Sequence, residues 1–132
     1  PDLTADWKTY NDYGFSYQYP SAWKLAGGST EINSCIHLTN GSYDEATERI
    51  MICFNYNVNP EHFLKNNIVA SSDSAIILLP NELNSFEDKA LTKYNRRPDI
   101  LIPYKNGTIY IKHMSVDDEI LIKFLSTFKF TE

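Results

Sequence analysis

The chain has 132 residues, 42% of them hydrophobic and 14% aromatic, which is enough for one buried core and too little for two separate domains. Seventeen acidic residues against twelve basic ones leave a net charge of -5, which argues against nucleic-acid binding, because phosphate affinity comes mainly from clustered Lys and Arg. No apolar run approaches the ~18 residues of a membrane-spanning helix; the longest is Ala75-Ile76-Ile77-Leu78-Leu79.

The chain opens at Pro1-Asp2-Leu3-Thr4 with neither Met nor a cleavable signal, so it reads as a trimmed or processed product whose leader or anchor lies outside it. Residues 13–23, YGFSYQYPSAW, then place five aromatics in eleven positions. Read at period two, Phe15, Tyr17 and Tyr19 share one face while Gly14, Ser16 and Gln18 share the other, as in a half-buried strand. A base-stacking platform would interleave Lys or Arg, and none lies between Lys8 and Lys24. Pro20 ends the pairing because it lacks an N–H, and Trp23 follows a tight corner from which it can fold back over the strand.

Two further strands are predicted, Glu31–Leu38 and Glu48–Val58, joined by a polar loop. In the second, Ile50, Ile52, Phe54, Tyr56 and Val58 alternate with Met51, Cys53, Asn55 and Asn57. Centring the hairpin on Asp44 sets Ile36 opposite Ile52, Leu38 opposite Ile50 and Cys35 opposite Cys53, with the apolar residues on one face. Asn59 followed by Pro60 predicts a short helix with an Asn cap, reaching about Ile68. Ala75–Leu79 fits either a buried strand or a helical turn, broken by Pro80-Asn81. Lys89–Tyr94 reads as a strand. Asp99–Tyr104 and Thr108–Met114 flank Asn106-Gly107, a hairpin signal that pairs Tyr104 with Ile109, Ile102 with Ile111 and Ile100 with His113. Ser115-Val116-Asp117-Asp118 resembles a capping box, opening a helix striped by Ile120, Leu121, Phe124, Leu125 and Phe128. The order of strands, helix, strands and helix predicts one α+β domain over residues 1–132, a mostly antiparallel sheet carrying helices.

Aromatic-x-Tyr-Pro-x-x-Trp at Tyr17, Tyr19, Pro20 and Trp23, and the terminal ILIKFLSTFKF of residues 120–130, resemble the PsbP-like domains of bacterial secreted proteins and lipoproteins, whose fold is shared with a Ran-binding nuclear import factor. The two stretches bracket nearly the whole chain. The resemblance implies an antiparallel sheet sandwiched between α-helices, a C-terminal helix running into Leu125-Ser126-Thr127-Phe128-Lys129-Phe130, an extracytoplasmic location and no catalytic activity; the metal associations of its photosynthetic members do not transfer, and no cofactor is expected. Its recurring residues are structural, and relatives on this fold serve many purposes, so it carries no functional residue across.

Candidate chemistry reduces to a few groups. Cys35, His37 and Cys53 fall on one face of the predicted hairpin, and the inferred compartment with an even cysteine count favours a Cys35–Cys53 disulfide. Two free buried thiols are the alternative, and a metal site a weaker one, since Cys-x-His on a strand is not a usual ligand spacing. No G-x-S-x-G elbow, H-E-x-x-H or P-loop occurs. His113 on an apolar strand face reads as a rim histidine, and Asp44-Glu45 and Asp117-Asp118 as a solvated loop and a helix start. Asn40-Gly41-Ser42 and Asn106-Gly107-Thr108 match glycosylation sequons that are also ordinary turns. Arg96 and Arg97, the one adjacent basic pair, are candidates for a partner surface by clamping a carboxylate or phosphate. Together these features predict a non-enzymatic extracytoplasmic binding or accessory domain engaging a protein or cell-envelope component. The alternative is a hydrolase with a Ser/His/Asp site assembled in the fold.

Overall fold

A computed structural model describes residues 6–27, 34–41, 48–65, 75–86, 98–105 and 107–131, leaving out the side chains of residues 55 and 56. Its strands are β1 (Lys8–Asp12), β2 (Phe15–Tyr19), β3 (Lys24–Gly27), β4 (Ser34–Thr39), β5 (Arg49–Tyr56), β6 (Ala75–Ile77), β7 (Asp99–Tyr104), β8 (Gly107–Met114) and β9 (Lys129–Phe130). The helices are α1 (Pro60–Lys65), a 3-10 helix over Pro80–Ser85, and α2 (Asp118–Thr127). The strands divide into two sheets, a small one in the order β1-β2-β9 and a large one in the order β3-β4-β5-β8-β7-β6, rather than forming the single sheet expected. Among the described residues all pairings are antiparallel except β6 with β7.

The main core lies between the two sheets. Phe15, Tyr17 and Tyr19 bury the face that period two assigned them, and meet Ile36, Leu38, Ile50, Ile52, Ile100, Ile102, Ile109 and Ile111 from the large sheet. Leu121, Phe124 and Leu125 of α2, with Phe128 just beyond it, close this layer, and Trp23 folds back into it after the turn bond from its N–H to the Pro20 carbonyl. The aromatic stretch is therefore core. Phe128 stacks on Phe15 and Tyr17 at centroid distances of 5.4 and 5.7 Å, while Tyr17 meets Phe124 edge-on. Such pairs add ~0.5–1.5 kcal/mol beyond the area they bury.

The Tyr17 hydroxyl is buried and has no hydrogen-bond partner among the described residues. Its pKa is pushed far above the tyrosine range, first by desolvation and then by the neighbouring Tyr10 and Tyr19. An unsatisfied buried polar group costs ~1–3 kcal/mol, so Tyr17→Phe is expected to raise stability by about 1 kcal/mol. A higher denaturation midpoint with an unchanged m value is the result to look for, and a lower midpoint would show that the hydroxyl is satisfied.

Local signals account for most elements, with four revisions. The His62 N–H donates to Asn59 Oδ1 at 3.0 Å, so α1 carries its expected cap. Ala75–Ile77 is the strand of the two alternatives, paired parallel to β7. The β7–β8 register is shifted by two residues from expectation: Tyr104 faces Gly107, Ile102 faces Ile109 and Ile100 faces Ile111, while His113 faces Ile50 of β5. Lys105, at φ 56°, takes the first left-handed turn position and Gly107 joins the strand. A shift of two keeps every side chain on its face, so the apolar pattern accepts both registers. The second revision is at α2, whose cap is Asp117, accepting from the Glu119 N–H at 2.9 Å, and not Ser115. Ser115 instead forms the left-handed corner leaving β8, with φ 57°. Third, α2 stops at Thr127, and Lys129–Phe130, expected as helix end, pairs with β2 as β9. Fourth, two strands that the sequence pattern does not signal lie before and after the aromatic strand in the chain: β1 pairs with β2, and β3 pairs with β4 in the large sheet. The strand expected at Lys89–Tyr94 and the helix end beyond Lys65 lie outside the described residues.

Candidate binding face on the large sheet

The alternation that buries Ile36, Ile50 and Ile52 sends Cys35, His37, Met51 and Cys53 to the opposite face. Helix α1 covers part of that face. Phe63 is fully buried there, edge-on to Tyr110 at 5.7 Å, in a second apolar cluster with Cys53, Ala75 and Leu101. Cys35 and Cys53 are directly paired, with Cα atoms 4.0 Å apart, and their sulfurs are bonded. Counting around the hairpin therefore placed them correctly, and with both sulfurs bonded to each other neither can serve as a thiolate ligand, which removes the metal and free-thiol alternatives.

Beyond the disulfide the face is half open. Adjacent strands align Ala26, His37, Met51 and Lys112 in one row, and Lys24, Thr39, Arg49 and Met114 in the next. Lys24 and Lys112 are exposed, Arg49, His37 and Met51 half-buried, and Met114 keeps 61% of its surface. Lys112 reaches over the Tyr110 ring, its ammonium 5.8 Å from the centroid. The His37 pKa is lowered by desolvation and then by the Arg49 guanidinium, so this histidine favours its neutral form. A cationic patch on an acidic protein thus lies beside an apolar surface. Sequence reasoning missed Lys24, Arg49 and Lys112, because their alignment requires β3 and the β5–β8 pairing; the one local signal is the alternation of Tyr110, Lys112 and Met114.

No family model matches the chain, no curated protein matches it, and no solved structure matches it.

The remaining candidates resolve individually. Asp99 accepts from the Tyr110 hydroxyl at 3.1 Å and from the His113 N–H at 3.3 Å. His113 Nε2 lies 2.8 Å from the Pro98 carbonyl, and because a carbonyl only accepts, this nitrogen carries a proton and donates. His113 and Asp99 are also 3.8 Å apart, so the group ties the end of β8 to the entry of β7. Asn40 donates through Nδ2 to Glu48 Oε1 and accepts from the Glu48 N–H, closing the β4–β5 hairpin. Glu48 Oε2 in turn accepts from the Asp117 N–H, linking that hairpin to the start of α2. A shallow groove of about 220 Å³ lies at Thr9, Ser16, Gln18, Ser126, Thr127 and Lys129, below the ~300–1,000 Å³ of ordinary ligand pockets. Arg96, Arg97, Asp44, Glu45 and Asn106 lie outside the described residues.

Proposed function

We propose that this chain is a non-enzymatic binding or accessory domain of PsbP-like type that works outside the cytoplasm and docks a protein partner with an acidic surface on the disulfide-bearing face of its large sheet. The observation that carries the location is the Cys35–Cys53 bond, since disulfides persist in secreted and envelope compartments and are rare where thiols are kept reduced. The docking reading rests on the chemistry of that face. Met51, Met114 and the disulfide supply adaptable, polarisable contact area, and exposed Lys24 and Lys112 supply positive charge for steering. The adjacent pair Arg96-Arg97 is a further candidate for the partner surface on the sequence alone. The resemblance of Tyr17, Tyr19, Pro20 and Trp23 to PsbP-like domains supports the same reading, with those residues in a structural role.

The experiment places a photoreactive residue at position 114 in the cells that make the protein, and blocks free thiols before fractionation. The expected result is an oxidised cysteine pair in an extracytoplasmic fraction and one cross-linked protein. That adduct should weaken with salt and in the double variant Lys24→Glu/Lys112→Glu, because exposed charges are screened within ~8 Å at physiological ionic strength. A reduced pair in the cytoplasm overturns the location. An adduct indifferent to salt and to both substitutions, or one formed with lipid or polysaccharide, overturns the partner class.

A further inference from the structure

Strand β1 is the open edge of the small sheet: β2 lies on one side, and no strand lies on the other among the described residues. Its side chains are exposed except for half-buried Tyr10, which stacks on Tyr17 at 5.2 Å. The direction of its backbone groups follows from the sheet. Tyr13 and Gly14, with φ of 57° and 87°, form a two-residue primed turn closed by the Asp12–Phe15 pair. Such a closing pair exchanges hydrogen bonds, so Asp12, Tyr10 and Lys8 bond to β2, and Thr9 and Asn11 turn their N–H and C=O groups outward. The Gln18 N–H confirms this alternation. Gln18 faces Thr9, and its N–H points away from β1 to Thr127 Oγ1 at 2.9 Å.

The sequence of this edge, Lys8-Thr9-Tyr10-Asn11-Asp12, reads as complementary to itself when reversed. Placed antiparallel to a second copy about Tyr10, Lys8 opposes Asp12 of the other copy, Asp12 opposes Lys8, Thr9 opposes Asn11, and the two Tyr10 side chains meet at the axis. Asp12 Oδ1 accepts from the Tyr13 N–H at 2.8 Å, which leaves its second oxygen for the lysine. Opposite charges directly across a strand pair stabilise it, and like charges destabilise it. A two-fold interface is self-complementary by necessity, a condition this strand meets.

We propose that β1 pairs antiparallel with β1 of a second copy, joining the two small sheets into one continuous six-stranded sheet with outward hydrogen bonds from Thr9 and Asn11. The contact is a single short strand, smaller than the ~1,200 Å² of stable interfaces, so the dimer is weak and concentration-dependent. It is independent of the docking face, which lies on the other sheet.

Sedimentation velocity over a concentration series tests it with the full chain. The wild type is expected to dimerise. Lys8→Asp and Asp12→Lys each oppose like charges and should weaken association on the order of tenfold or more. Their equimolar mixture, and the double variant K8D/D12K, should recover it, because opposite charges again face each other. Asp12→Lys also removes the bond to the Tyr13 N–H, so Thr9→Pro serves as a second probe: it deletes an outward N–H without touching the β1–β2 ladder, and should give a folded monomer by circular dichroism. Amide exchange at Thr9 and Asn11 should slow as concentration rises. A monomer at millimolar concentration overturns the proposal, as does association that survives Lys8→Asp and Thr9→Pro, or charge-swapped pairs that fail to recover.

Discussion

Phe128→Ala is expected to cost about 3–5 kcal/mol, the range for removing a buried phenyl ring. Phe128 is the residue on which three parts of the core converge. It stacks on Phe15 and Tyr17 of β2, meets Phe124 of α2 edge-on at 6.0 Å and contacts Phe130 of β9 at 5.4 Å. It also ends the helix, its N–H donating to the Leu125 carbonyl. The hydrogen bond from the Gln18 N–H to Thr127 Oγ1 fastens β2 to the end of α2 beside the void, which opposes its collapse. With total stabilities of ~5–15 kcal/mol, the loss leaves a marginal or unfolded protein. Phe128→Leu, which retains most of the volume, should fall well short of that. Equal loss for both variants in chemical denaturation would show that ring stacking rather than cavity formation sets the cost.

Replacing Cys35 and Cys53 together by Ala is expected to lower stability by roughly 3 kcal/mol, the chain-entropy value for a loop of this length. The cysteines are 18 residues apart, and the bond restricts the unfolded chain across the whole β4–β5 hairpin. Truncation adds a packing loss at Cys53, which is buried among Phe63, Ala75, Leu101 and Tyr110, whereas half-buried Cys35 loses less. Reductant provides an internal control. It should lower the denaturation midpoint of the wild type towards that of the double variant and leave the variant unmoved. A wild type indifferent to reductant would show that the bond does not form in solution.

How much of this was legible depends on where each signal sits. The pairing of Cys35 with Cys53 could be counted, because a hairpin fixes its register locally and Ile36, Leu38, Ile50 and Ile52 must share a face. The stripe of α2 and the cap of α1 are also local. Strand β1 carries one aromatic among four polar residues, and β3 and β9 are four and two residues long, so none presents an alternation to read. They are strands because of what lies beside them. Strand β6 needs its parallel neighbour β7, brought in from a distant part of the chain. The candidate face divides the same way. Its disulfide follows from one hairpin, whereas the row from Lys24 to Met114 exists only once three pairings are in place.

The small sheet closes between segments that are far apart in the chain. Gln18 hydrogen-bonds Thr127 across 109 positions, Phe15 pairs with Phe130, and Gly14 accepts from the Thr131 N–H and the Tyr104 hydroxyl. As the chain folds, the β1–β2 hairpin can pair locally, but its aromatic face is covered only when the last described segment reaches it. Closing so long a loop must come before the contacts that reward it, which is the condition for folding in milliseconds to seconds rather than microseconds. The β4–β5 hairpin has no such delay. Its cysteines can meet while β2 still lacks its last neighbour, so oxidation can precede completion of the core and hold half of the large sheet in register for the strands that arrive later.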